Sequence, residues 1–293
     1  MANSKYRAFA KVAELGSITR AAGQLGYTQS GVSHLVATLE EDLGVGLLVR
    51  SKSGTILTEE GKALLPYINR ILEAEQDLKN KVLDIRGLST GNLRIGTFSS
   101  VAIHWLPGLL SGFKARYPGV EISVVNGDYA QVEGALLQGS VDCGFVTSPS
   151  RKEFSVQRLM RDRLLAVVPE SSSLSGKETL EPRDLAEETF IVPAEGSDYQ
   201  VGEFLARVGV PPRARLDIND DYAAVEMVRR QLGVTILPEL MVQNLPLEGL
   251  CTIPLTGSER EIGLAVRRDR YLSPAVRAFL ACAEEMICAD GKC

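Results

Sequence analysis

The segment Thr28 to Leu39, "TQSGVSHLVATL", carries two sets of side chains at two spacings. Val32, Leu35, Val36 and Leu39 recur at i, i+3, i+4 and i+7, which on a helix gathers them into one buried stripe. Gln29, Ser30, Ser33, His34 and Ala37 fall on the other side. Their chemistry is hydrogen bonding rather than nucleophilic attack. A glutamine amide pairs with the edge of an adenine, and Ser33 or His34 can exchange hydrogen bonds with a base or a phosphate oxygen. Thr28 stands where an N-cap belongs, its hydroxyl accepting from a first-turn amide while the other free amides face an anion. The same spacing suits an ordinary three-helix packing module, so spacing alone leaves both readings open.

The elements that must position this face lie on either side of it. "YRAFAKVAEL" has helical apolar spacing through Phe9, Val12, Ala13 and Leu15, and Gly16 can end it. A second helix is expected from Thr19 through Leu25, with Ala22 allowing close approach and Gly26 the tight turn into Thr28. Two short helices around so tight a turn read as a helix-turn-helix whose second helix enters a major groove about 12 Å wide. "VGLLVRSKSGTILTEEG" then reads as a β-hairpin wing, with Arg50 and Lys52 either phosphate contacts or routine surface charges. No acid lies between Asp42 and Glu59, so the wing can share a positive field with Arg20.

From about Glu59 or Glu60 to Ile85 a long helix is expected. Leu64, Ile71, Leu78 and Ile85 repeat every seven residues, Ile68 and Val82 fill the intervening row, and Glu75 interrupts it. At 1.5 Å per residue it extends about 40 Å, too long to hide against one small domain. Its apolar stripe calls for a partner, either the larger part of the chain or a second copy.

The 293 residues carry a net charge of -5, which taken whole argues against a polyanion partner. The charge is unevenly placed. Residues 1 to 90 hold 11 Lys+Arg against 10 Asp+Glu, a balance of +1, whereas residues 91 to 293 hold 21 against 27, a balance of -6. Lys5, Arg7, Arg20, Arg50 and Lys52 are expected to form a modest basic face, weak in one copy and more effective in a dimer. Length favours about two domains. No run nears the ~18 apolar residues of a membrane span, and the N-terminus lacks the apolar core of a signal peptide, so a cytoplasmic place is expected. The cysteines show no ligand-type spacing and read as free thiols, Cys143 in a core, Cys288 and Cys293 as the ones open to oxidation.

Beyond "GLSTGN" at Gly87 to Asn92, which reads as a hinge, strand and helix patterns alternate. The strands "LRIGTF", "VEISVVN", "CGFVTS", "LLAVVP", "TFIVP" and "ARLDIN" are interleaved with helices such as "WLPGLLSGFKARY", "YQVGEFLARVG" and "DYAAVEMVRRQ". That order suits an α/β fold of parallel strands covered by helices. Ligands of such folds gather at strand C-terminal ends. Ser99 and Ser100, Thr147 and Ser148, Glu195 to Ser197, and Asp220 or Asp221 occupy those places and together outline a polar cleft for a small ligand. Amide donors there favour an anion such as a carboxylate, and the acids oppose it. Catalysis finds little support: His34 and His104 are the only histidines, and HExxH, GxSxG and GxxxxGK[ST] are all missing. Neither an enzyme nor a metal or cofactor is expected.

"FAKVAELGSITRAAGQLGYTQSGVSHLVATLEEDLGVGLLVR" with "LTEEGKALLPY", spanning Phe9 to Tyr67, resembles the LysR-type transcriptional regulators, and the order of elements extends the likeness over almost the whole chain. The resemblance implies an α/β fold with an N-terminal winged helix-turn-helix, a linker helix that dimerises antiparallel, and a two-lobed effector domain like the periplasmic solute-binding proteins. It assigns residues 1–58 to DNA binding, 59–90 to the linker helix and hinge, and 91–293 to effector binding, with lobe I at 91–162 and 268–293 and lobe II at 163–267. It implies double-stranded DNA as partner, assembly as a dimer or tetramer, and a small metabolite that changes DNA contacts.

Carried over by position, Gln29, Ser30, Ser33, His34 and Arg50 read the duplex, with Thr28 and Lys52 beside them. Ser99, Ser100, Thr147 and Ser148 from one lobe and Pro193, Glu195, Gly196 and Ser197 from the other hold the effector, with Asp220 and the turn before Val234 closing the cleft. Family members frequently have Pro then Ala after the glutamine and Arg at the histidine's place; this chain has Ser30, Gly31 and His34. A neutral imidazole attracts phosphate less than a guanidinium does. No cysteine lies between Cys143 and Cys251, so the peroxide-sensing branch, with two cysteines in its second lobe, fits poorly. The competing reading is a small-solute-binding protein without duplex affinity, against which the Thr28 to Leu39 helix and the missing export signal weigh.

Overall fold

The computed structural model describes residues 2–51, 54–85, 91–193, 214–218, 220–243 and 245–288, which fall into two units, Met1–Gly87 and Leu88–Cys293. Lys52, Glu195, Gly196, Ser197, Cys293, the first part of the expected hinge and the helix expected at Tyr199 to Gly209 lie outside the described residues.

In the first unit, α1 (Ala2–Leu15), α2 (Ile18–Leu25) and α3 (Gln29–Leu43) precede an antiparallel hairpin of β1 (Leu48–Ser51) and β2 (Gly54–Leu57). α2 begins one residue before the expected Thr19, because Ser17 caps it, its hydroxyl accepting from the Arg20 amide at 3.3 Å. Gly26 ends α2 at φ 71°, a left-handed conformation that glycine adopts without steric cost. Phe9, Val12, Ala22, Val32, Val36, Leu39, Leu47 and Ile68 form one buried core, so the apolar stripe of α3 is closed by α1 and α2.

The long helix α4 (Glu59–Ile85) starts inside this unit. Thr58 accepts from the Gly61 amide at 2.8 Å, and a Cβ at residue 61 would overlap the Leu47 carbonyl oxygen, so the start of α4 fits against the wing only as glycine. The heptad row divides in two. Leu64 and Ile68 of the row, with neighbouring Leu72, pack on the head core, whereas Ile71, Leu78 and Val82 of the row, with neighbouring Tyr67, are exposed. Glu75 breaks the row because it is tied back to α1: it accepts from Lys79 at 2.8 Å and from Arg7 at 2.7 Å, and these cations hold its carboxyl below the usual range. Arg7 is therefore not free for a basic face, and neither is Lys5, which pairs with Asp42 at 2.6 Å. This corrects the sequence reading; the acids lie 68 and 37 residues away, beyond the reach of a local pattern.

The second unit opens with β3 (Gly91–Thr97), α5 (Ser99–His104), α6 (Leu106–Arg116), β4 (Val120–Asn126), α7 (Tyr129–Leu137) and β5 (Cys143–Thr147). It continues with β6 (Phe154–Pro169), β7 (Thr189–Pro193), β8 (Ala214–Ile218), α8 (Asp221–Arg229), β9 (Thr235–Pro238), α9 (Glu239–Val242), β10 (Leu250–Arg267) and α10 (Pro274–Cys288). Among the described residues the main sheet has the order β4-β3-β5-β10-β6-β9, and β7 and β8 pair in parallel. The expected all-parallel arrangement is corrected. β3 runs parallel to β4 and β5, but β10 is antiparallel to β5 and β6, and β6 to β9.

β6 and β10 each run from one core into another. Leu159 and Met160 join Ile95, Phe113, Phe145, Ile262, Leu264 and Phe279 in one; Leu164, Ala166 and Val168 join Phe190, Ile236, Ile253 and Leu255 in another. The chain thus leaves the first core between Met160 and Leu164 and returns between Leu255 and Ile262. The return falls within β10, whose ladder to β6 is interrupted by a register shift between Pro254 and Glu259. Cys143 is buried in the first core, where desolvation and the Asp142 charge push its thiol up and suppress the reactive thiolate. No helix among the described residues is long and apolar enough to cross a membrane.

Candidate functional site

Two places gather the residues singled out by sequence. On α3, Thr28, Gln29, Ser30 and His34 are exposed and Ser33 is half-buried, opposite buried Val32, Val36 and Leu39. Thr28 Oγ1 accepts from the Gly31 amide at 3.1 Å and lies 3.1 Å from Ser30 Oγ, so the cap holds two of the candidate side chains together. Tyr27, 49% exposed, stands beside the cap; it lies off the apolar stripe, so periodicity did not mark it. Arg20 is exposed and its guanidinium donates to the Leu15 carbonyl. Arg50 sits in β1 opposite Thr55, its side chain outside the described residues. Thr28→Ala removes the cap and is expected to destabilise the head by ~1 kcal/mol, with Thr28→Ser close to the parent. The check is the helical signal on thermal denaturation; equal loss in both variants would count against capping.

The second place is the crossing of β6 and β10. Arg260 and Asp162 are ladder partners between the two cores, 2% and 0% exposed. Asp162 Oδ2 accepts from Arg260 Nε at 2.8 Å and Nη2 at 2.6 Å, while its Oδ1 accepts from the Leu240 amide at 2.9 Å. Arg260 Nη2 also donates to Ser100 Oγ at 2.9 Å and Nη1 to the Tyr129 hydroxyl, and the guanidinium lies 5.3 Å from the Phe98 ring centroid. A buried charge persists only with such pairing.

Over this pair opens a cleft of about 370 Å³. Its polar lining includes Ser99, Ser100, Asp128, Asp220, Asp221 and Arg260, and its apolar lining Phe98, Ile103, Leu237 and Met241, with Tyr222 beside them. Helix caps fix two of the acids: Asp128 accepts from the Gln131 amide at 2.7 Å to start α7, and Asp220 accepts from the Ala223 amide at 2.8 Å to start α8. Desolvation raises the Asp221 carboxyl pKa, the Asp220 charge raises it further, and Arg260 partly opposes both. Ionised Asp221 therefore costs the fold at neutral pH, a cost absent below its unfolded pKa, where the group is protonated in both states. Asp221→Asn is expected to raise the melting temperature of this unit at pH 7, the gain shrinking as pH falls through the raised pKa. Equal gains at pH 7 and pH 4 would contradict that origin.

The structure brings Ser99, Ser100 and Asp220 together in the cleft but places three other candidates away from its lining. Thr147 is buried opposite Ile262 in the β5–β10 ladder, and Ser148 lines a separate hollow with Arg151, Lys152 and Arg268. Val234 is buried in the second core, its amide donating to the Thr189 carbonyl and its carbonyl accepting from Ile191. Pro193 ends β7, its side chain outside the described residues. Sequence reading missed Asp162, Tyr129 and Arg260. The available signal for Arg260 was parity: buried Ser258, Arg260, Ile262 and Leu264 alternate along one strand face.

Residues 4–62 match the family described as bacterial regulatory helix-turn-helix protein, lysR family, and residues 86–287 match the LysR substrate binding domain. The chain belongs to the LysR family. As a LysR-family protein it is a DNA-binding transcriptional regulator with an effector-binding domain, and not an enzyme. It is 34% identical over 274 residues to the probable HTH-type transcriptional regulator LrrA of Synechococcus elongatus, covering 92% of each chain. It is 29% identical over 293 residues to the uncharacterized HTH-type transcriptional regulator YvbU of Bacillus subtilis (strain 168), covering 99% of this chain and 100% of that one. Among solved structures, full-length CbnR complexed with its target DNA matches with a TM-score of 0.66 at 24% identity, over 97% of this LysR-family chain and 99% of that one. A full-length OxyR variant from Pseudomonas aeruginosa matches with a TM-score of 0.76 at 21% identity, over 98% and 95%. At these identities the likeness is one of fold.

Proposed function

We propose that a small-molecule effector binds in the cleft above the Arg260–Asp162 pair and changes the grip of α3 on duplex DNA in the cytoplasm. One observation carries this: the polar groups Ser99, Ser100, Asp220 and Arg260 converge where β6 and β10 pass between two separate cores. A ligand there touches both lobes and biases their arrangement by its differential contacts. Thr28, Gln29, Ser30, Ser33 and His34 read the duplex, and Arg50 and Lys52 hold its backbone. The exposed row Tyr67, Ile71, Leu78 and Val82 on α4 supports pairing with a second copy, which places two α3 helices on half-sites one or more turns apart.

The test is fluorescence anisotropy of the full chain on labelled duplex from immediately upstream of its own gene, with scrambled duplex as competitor, varied salt and a metabolite panel. The expected outcome is specific, salt-sensitive binding, weakened in Gln29→Ala with His34→Ala and shifted by a metabolite. A ligand that binds the cleft without altering duplex affinity under any condition would instead favour a simple solute-binding role.

A further inference from the structure

The chemistry of the cleft goes further than its location, and what it says about the ligand rests on reading the cleft as the effector site. Arg260, the cation of the described lining, is already engaged: Asp162 balances its charge, and Ser100 and Tyr129 take further donors. The other charged lining residues are Asp128, Asp220 and Asp221, all acids. Asp128 and Asp220 each use a carboxylate oxygen as a helix cap, and Asp221 makes no hydrogen bond or ion pair among the described residues.

An anion entering here meets three carboxylates and a guanidinium that is already neutralised. A cation meets the same carboxylates as partners and relieves the repulsion between adjacent Asp220 and Asp221. The lining also holds apolar side chains, Phe98, Ile103 and Met241, and Tyr222, 51% exposed, offers a ring to an ammonium group. The volume falls within the range of small-molecule sites.

We propose that the effector is a small organic cation, a protonated amine on an apolar body, with its ammonium at Asp220 and Asp221 and its body against Phe98, Ile103 and Met241. The reading differs from a carboxylate effector in the sign of charge the cleft selects.

The experiment uses the full chain at pH 7.5 and calorimetric titration with primary alkyl and arylalkyl amines, each matched to the alcohol and the carboxylate of the same body. Amines are expected to bind more tightly than the alcohols, with carboxylates weakest, and to lose affinity as salt rises. Asp221→Asn is expected to weaken the best amine about tenfold or more, and Asp220→Asn, which keeps a competent cap, to weaken it in the same direction. Carboxylates binding in preference to amines, or amine affinity unchanged in both variants, overturns the cationic class while leaving the cleft as a ligand site. No binding by any member of the three sets overturns the cleft reading and the class together.

Discussion

Asp162→Ala is expected to destabilise the effector unit by about 3–5 kcal/mol. The substitution leaves Arg260, 2% exposed, as a buried guanidinium without its counter-charge, and it orphans the Leu240 amide that Asp162 Oδ1 accepts. The damage falls at the one place where β6 and β10 hand over from core to core, so it reaches both sides of the cleft. Trp105, the chain's single tryptophan, is buried in the first core and reports this unit alone. Its fluorescence transition should fall by ~2–4 °C for each kcal/mol lost in a domain of this size. Replacing both partners with apolar residues, Asp162→Leu with Arg260→Met, is expected to recover much of the loss, since it removes the uncompensated charge as well as the pair. If the single variant melts with the parent, the pair is not what holds the crossing together.

The second large effect belongs to the head. Phe9→Ala empties the centre of a core built from a few side chains, among them Val12, Ala22, Val32, Val36 and Leu39, with Phe9 fully buried. Loss of a buried phenyl ring costs about 3–5 kcal/mol, a large fraction of what so small a unit has available. The stripe that sets the outward face of α3 then has nothing to pack on. Specific duplex binding should disappear and a low-temperature transition should leave the helical circular dichroism signal, while the Trp105 transition stays in place. A matching fall in the Trp105 transition would show that the two units unfold together.

How much of this was legible in the sequence differs by element. In the head much of it was, because helix periodicity, the Thr28 cap and the Gly26 turn are decided within a few residues of chain, although the Ser17 cap that starts α2 went unread. The start of α4 was legible too, but the division of its apolar row was not. Which half faces the head depends on the contact of Ile68 with Phe9's core and on the Arg7–Glu75 tie. In the effector unit the compact strands β4, β5, β7 and β8 announced themselves as short apolar runs. β10 did not, since Pro254, Gly257, Glu259, Arg260 and Glu261 interrupt its pattern.

The sequence by itself determined the order of parts, a winged helix-turn-helix, a long helix and an α/β unit, together with the polar face of α3, because each of these is written in the local period of the chain. Only the tertiary structure decided the buried pair beneath the cleft. Arg260 meets Asp162 across 98 residues, Tyr129 across 131 and Ser100 across 160, and it is buried rather than exposed because the register of an antiparallel ladder puts it between two cores. A local pattern sees a charged residue in a strand. Strand register, which fixes what faces that residue, is a property of distant segments and sets whether the charge is solvated or paired.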